Sequence, residues 1–338
     1  MMDFEDGSIR ARMGEHYRPF YSNYSDTLQA AVDDYDPRDV AAAAQTHLEE
    51  MVVKQLRHLA VDGSFFSRRL CLAGGVFGNV KLTQAIKESG LFDAVFVQPQ
   101  MGDGGLALGA AAGAQHDRNI RIDTLETMCL GPDIDDNELA RLADHAGGLM
   151  IERVDATTQV ERICKDLEAG RVIGLARGAM EFGPRALCHR SIVYKTTDPT
   201  VNDWLNERMN RTEFMPFAPV VRIEDGTRCF LGFDAQDPTL RYMTATIGCT
   251  DEFAAACPAV THIDNTARPQ IVTQESDAFM WQLLSRWQAV SGELSLINTS
   301  FNAHEEPIVC TEADVLTGVT TGMVDVLCTE TLRITRAT

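Results

Sequence analysis

The sequence predicts an α/β or mixed fold. Short apolar runs such as Leu70 to Ala73 and Ala94 to Gln98 alternate with segments of helical periodicity. Both runs empty into glycine-rich turns, and no internal repeat or low-complexity tract breaks the alternation. At 338 residues the chain is long enough for two or three domains with real cores.

In chain order, residues 1–35 are polar and dotted with aromatics, without clear periodicity. A helix is expected from Asp36-Pro37-Arg38-Asp39, because Val40, Ala44, Leu48, Met51, Val52, Leu56 and Leu59 recur at helical spacing. Gly63 ends it. RRLCLAGGVFGN then reads as a strand running into paired glycines, and AVFVQPQMGDGGLALGAAAG as a strand, a loop and a small-residue helix. Gly109 and Gly113, four apart, would let that helix pack closely on a neighbour. Residues 114–128 read as a connection between domains. Beyond it come helices around Asp135 to His145 and Thr158 to Glu168, the latter capped by Thr157 or Thr158 and ended by Gly170. The strand RVIGLARG follows, and further alternating segments lead to a terminal pair, VDVLC and LRITR.

The composition is ordinary for a globular protein, 45 % hydrophobic and 23 % charged. A net charge of −19 argues against an extended nucleic-acid surface, since phosphate backbones attract basic patches. It does not exclude a small anion site. The nine cysteines are scattered, with no CxxC pair, as expected of reduced, mostly buried thiols in a cytoplasmic protein. The N-terminus does not resemble a signal peptide, and no apolar run reaches the roughly 18 residues of a membrane span.

Six segments carry chemistry. In LAGGVFGN, Gly74 and Gly75 would bring backbone N–H groups close to a phosphate and Asn79 would hydrogen-bond a ligand, or the segment is a tight turn. In MGDGG, Asp103 follows a strand, where α/β sheets place ligand groups; it would hold a metal or cap the next helix. The stretch EFGPRALCHRS is the most telling. With Arg177 just before it, Glu181, Arg185, Arg190 and Ser191 crowd one stiff Gly-Pro bend, and bidentate guanidinium suits phosphate or carboxylate. The alternative is a structural Arg–Glu network. NRTEFMPFAP presents Arg211 on a proline-rich loop, THIDNTARPQ carries His262, Asp264 and Arg268, and INTSFNAHEEPIVCT sets Asn298, Ser300 and Asn302 on alternate positions. There is no Walker-type phosphate loop, no HExxH pair and no Ser/His/Asp triad.

Taken together and in order, these six segments resemble the carbamoyltransferase family of nodulation and antibiotic biosynthesis, from about residue 38 to the C-terminus. The resemblance implies residues 1–119 as the second lobe of an actin/Hsp70-like, Kae1-type domain, and residues 120–338 as a YrdC/Sua5-like α/β domain. It implies that the latter forms carbamoyl-adenylate from ATP and carbamoyl phosphate, and the former passes the carbamoyl group to a small-molecule hydroxyl. Arg185, Arg190, Arg211 and Glu181 would then be catalytic. Arg177, Ser191, Ser300 and Asn302 would bind nucleotide with Gly74, Gly75 and Asn79, and Asp103 would ligate a divalent metal such as iron.

Three departures stand out. Ala179 occupies a position where the family often has arginine, with Arg177 placed to offset it, and Cys188 stands where glycine is frequent. The lysine common before PFAP is absent. The family's first lobe, with its HxxxH metal pair, has no counterpart here, so metal binding and full transfer are expected only with a separate chain carrying that lobe. The competing expectation is a non-catalytic, nucleotide- or partner-binding subunit with an uncovered apolar surface on residues 1–119.

Overall fold

A computed structural model describes residues 2–11, 26–63, 67–210 and 216–337. Strands β1 (Met2–Glu5) and β2 (Ser8–Ala11) form an antiparallel hairpin. Its turn residues Asp6 and Gly7 both take positive φ, 49° and 77°, the turn that matches strand twist. The sequence showed no periodicity here because four-residue strands are too short to display one. Helix α1 (Asp26–Val32) buries nothing. Helix α2 (Pro37–Val61) starts where expected, capped by the Asp36 side chain with Pro37 in its first turn.

Strands β3 (Arg69–Leu72) and β4 (Ala94–Val97) pair in parallel through the crossover helix α3 (Val80–Glu88). Leu56 of α2 and Leu82 and Ile86 of α3 bury against Leu70, Leu72, Val95 and Val97. Helix α4 (Leu106–Asp117) departs from expectation. None of its residues is buried, and nothing lies within 4 Å of a Cβ built at Gly109 or Gly113. The close packing that those glycines permit has no partner among the described residues.

The C-terminal elements are α5 (Asp136–Ala146), β5 (Leu149–Arg153), α6 (Ala156–Glu168), β6 (Ile173–Ala176), β7 (Arg190–Lys195), α7 (Val201–Arg208) and β8 (Ala218–Arg222). Then follow α8 (Gly226–Cys229), α9 (Pro238–Arg241), β9 (Ile247–Gly248), α10 (Asp251–Ala256), β10 (Thr266–Ala267) and β11 (Gln270–Val272). Last come α11 (Ala278–Ser291), β12 (Ser295–Ser300), α12 (Glu312–Thr320), β13 (Val326–Cys328) and β14 (Leu332–Arg336). Helix α6 is capped two or three residues earlier than Thr157 or Thr158 would give: the Asp155 carboxylate accepts from Thr158 N. An ionised carboxylate is the better acceptor at a helix start.

Eight strands form one mixed sheet in the order β11-β8-β12-β7-β6-β13-β14-β5. Side chains alternate across it: Ile192 and Tyr194 of β7 enter one core and Val193 the other. Helices α6 and α11 cover one face, and α5, α7 and α12 the other. Phe301, just past β12, is fully buried where a Cβ at Gly174 or Gly318 would strike its ring, so both glycines are steric requirements. The terminal pair is an antiparallel hairpin whose second strand, β14, also pairs with β5.

Candidate functional site

The 177–189 loop joins the adjacent antiparallel strands β6 and β7 and leaves the sheet toward the N-terminal elements. One Glu181 oxygen organises it, accepting from the backbone N–H groups of Leu187 (2.6 Å), His189 (3.0 Å) and Arg190 (3.1 Å). The other oxygen is buried without a hydrogen-bond partner. Cys188 sits in this bend at φ 71°, in the left-handed region, which accounts for glycine being frequent at that position in the family it resembles. Gly183, at φ 143°, lets the loop approach the Pro99 carbonyl: a Cβ there would lie 3.1 Å from its oxygen.

The arginines of the motif have different surroundings. Arg190 is fully buried, and its Nη1 donates to the carbonyls of Arg177, Gly178 and His189 while Nη2 donates to Pro132. Those four carbonyls make it a brace of the loop. Arg177 is also buried; it pairs with Asp277, lies 3.6 Å from Glu330, and stacks at 4.9 Å over the Phe279 ring. Two carboxylates hold it, so it does not stand free to replace the arginine missing at Ala179. Arg185 differs. Its Nη2 donates to the Gly78 carbonyl of the LAGGVFGN turn at 2.9 Å, and no carboxylate among the described residues pairs with it; its Nε is buried without a partner, as are those of Arg177 and Arg190. Burial alone lowers its pKa.

Arg268 is the residue that the sequence reading left without a role. Half-buried, it has neither a hydrogen bond nor an ion pair among the described residues. Burial, and then repulsion from Arg185, lower its pKa to about 9. Its segment is fixed from both sides. On one, Asp264 pairs with Lys81 of α3 at 2.7 Å. On the other, the buried Asn298 Nδ2 donates to Gln270 Oε1 (2.6 Å) and to the Ala186 carbonyl (2.9 Å), tying the Arg268 segment to the Arg185 loop. Asn298 was on the sequence's list of hydrogen-bonding groups; Gln270 and Asp277 carried no signal beyond their polarity.

The remaining expected residues divide by surroundings. Asn79 caps α3 through Leu82 N and exchanges hydrogen bonds with Gln45. Asn302 donates within its own turn, to Ala303 and Glu306. Ser191 and Ser300 are register partners across β7 and β12, and the Ser191 hydroxyl accepts from Cys188 N. Arg211 lies outside the described residues. Gly74, at φ 114°, and Asp103 line the same open cavity of about 770 Å³, beside the bare face of α4. Gly75 begins the short turn behind it. Asp103 is exposed, and no group of three or more His, Cys, Asp or Glu converges among the described residues. This donor set does not fit a metal. His189 has its pKa lowered, chiefly by burial and then by Arg177, and its Nδ1 is unpartnered; burial also pushes the Cys188 thiol up.

No helix among the described residues is long and apolar enough to cross a membrane. The family model for the carbamoyltransferase N-terminus matches residues 15–112 and that for the carbamoyltransferase C-terminus residues 164–336. Nodulation protein NolO of Bradyrhizobium diazoefficiens is 35% identical over 288 residues, 83% of this chain and 51% of the relative. Nodulation protein NolNO of Sinorhizobium fredii is 34% identical over 285 residues, 83% of this chain and 41% of the relative. The chain thus spans about half the length of the curated relatives it matches. A crystal structure of full-length HypF in its phosphate- and nucleotide-bound form aligns over 56% of this chain and 22% of that one, at 14% identity and a TM-score of 0.37, too slight a likeness to inform the site.

Proposed function

The chain belongs to the carbamoyltransferase family, and from that premise we propose that it forms carbamoyl-adenylate from ATP and carbamoyl phosphate for transfer to a hydroxyl of a small metabolite. The balance requires water to release phosphate from carbamoyl phosphate. A carbamate oxygen then displaces pyrophosphate from the α-phosphorus of ATP. Both substrates are anionic, so cations must gather them and offset their repulsion. The observation that carries the reading is Arg185: a motif arginine, presented by a Glu181-organised loop, with no carboxylate paired to it among the described residues. A guanidinium in that state is suited to a phosphoryl or carbamoyl oxygen. Arg177 and Arg190 would hold the loop around it.

Transfer to the acceptor would take place at the N-terminal elements, around Gly74 and Asp103, where the open cavity needs a second wall beyond the described residues. A metal would bind there only with further ligands from that second wall. The second reading is a binding subunit that does not itself catalyse; the bare face of α4 favours it.

The test is pyrophosphate release by the purified chain with ATP, with and without carbamoyl phosphate. Release that depends on carbamoyl phosphate, and is abolished in a folded Arg185→Ala variant, is expected. No release from the folded wild-type chain would leave the binding-subunit reading.

A further inference from the structure

We propose that the buried pair Asn298 and Gln270 positions the 177–189 loop for the reaction. The loop ends at the seam between the C-terminal sheet and the N-terminal elements, where Arg185 reaches the Gly78 carbonyl. Asn298 lies within β12, opposite Val193 of β7 and Ala218 of β8, and is 1% exposed. Gln270 begins β11. The two amides meet across β8, which lies between their strands; the β8 residue opposite Asn298 is the small Ala218. Asn298 Nδ2 has three acceptors: the Ala186 carbonyl at 2.9 Å, Gln270 Oε1 at 2.6 Å and the Met243 sulfur at 3.8 Å. Gln270 Oε1 accepts a second time, from the Cys188 thiol at 3.1 Å. The pair therefore holds the loop at two points, the residue after Arg185 and Cys188.

Two features distinguish this pair from ordinary core packing. First, its surroundings are apolar: Ala218 and Met243 belong to one buried cluster with Met128, Leu187 and Tyr242. An amide in such a place is unfavourable unless matched, and Asn298 Oδ1 is buried without a hydrogen-bond partner among the described residues. A leucine would fill similar space with no polar atom to satisfy. Second, two residues that the pair touches have strained backbone. Cys188 stands at φ 71° and Met243 at φ 57°. Non-glycine residues keep such values only where their surroundings over-determine them, and they gather where one working shape is required. Side chains mounted on strands can impose that shape more precisely than a loop can by itself.

The inference rests on the function proposed above, and the experiment separates the two. Wild type is compared with Gln270→Met and Asn298→Leu, each close in size to the residue replaced. The measurements are hydrogen exchange of the 177–189 peptides and the kinetics of pyrophosphate release with ATP and carbamoyl phosphate. Both variants should fold, exchange faster in the loop, and keep wild-type exchange in β7, β8 and β12. Their kcat should fall at least about tenfold while KM for either substrate moves less than about threefold, because a shift of about 1 Å in a catalytic group is worth on the order of a hundredfold in rate. Residues that only fill the core would lower the melting temperature and leave kcat of the folded chain unchanged. Wild-type kcat in both folded variants would overturn the proposal. So would unchanged exchange in the loop, or failure of both variants to fold, since the pair would then be structural. A wild-type chain that releases no pyrophosphate would overturn the adenylation reading; faster loop exchange in the variants would still establish the hold on the loop.

Discussion

Glu181 shows how a catalytic-looking residue can serve its loop first. One of its oxygens takes three backbone N–H groups from the far limb of the bend. Glu181→Ala leaves those buried donors unmatched and is expected to cost about 3 kcal/mol or more in urea unfolding, with Glu181→Gln, which keeps a carbonyl acceptor, losing clearly less. Cys188 tests backbone strain in the same bend. Cys188→Ala and Cys188→Gly both remove the thiol that meets Gln270, but only glycine relaxes φ 71°. The glycine variant should therefore be more stable than the alanine one by about 1 kcal/mol, by the same measurement. At this scale the sequence located the motif but could not divide its labour. Arg177, Arg185 and Arg190 look alike in a string of letters. Which one meets Asp277, which meets four carbonyls and which meets a single carbonyl across the seam depends on residues up to about a hundred positions away.

Elements were more legible, because caps and periodicity are local. Asp36, Pro37 and Gly63 delimit α2 in the sequence as they do in space, and the terminal hairpin follows from two apolar runs. What stayed hidden was the seam, built from side chains of elements that are distant in sequence. Its Lys81–Asp264 pair makes acid stability a test. Burial pulls the Asp264 carboxyl upward, but hydrogen bonds from Lys81 and Thr266 outweigh it and hold its pKa down at about 2. A carboxylate depressed on folding adds stability above its unfolded pKa and loses it as pH falls through the folded value. The pair's contribution should therefore disappear between about pH 4 and pH 2. Because both side chains are more than a third exposed, it should amount to no more than about 1 kcal/mol. Asp264→Asn should flatten that part of the stability profile; an unchanged acid limb would show that the pair contributes nothing.

For the whole molecule, the distinguishing feature is asymmetry. The eight-stranded sheet is covered on both faces, whereas the parallel pair β3–β4 is covered by α2 and α3 and flanked by a bare α4. Leu106 is 70% exposed on that helix beside the 770 Å³ cavity. Sedimentation should show association that strengthens with protein concentration and is weakened by Leu106→Asp, because an apolar face of this kind seeks cover. A strictly monomeric wild-type chain at high concentration would count against it. The clasp between β5 and β14 bears on how the protein is made. Leu149–Arg153 is translated well before Leu332–Arg336, its only neighbour in the sheet among the described residues. At typical elongation rates the nascent chain carries that unpaired strand edge for roughly 10–40 s. Throughout that interval it is a site for chaperones to hold or for another nascent chain to capture.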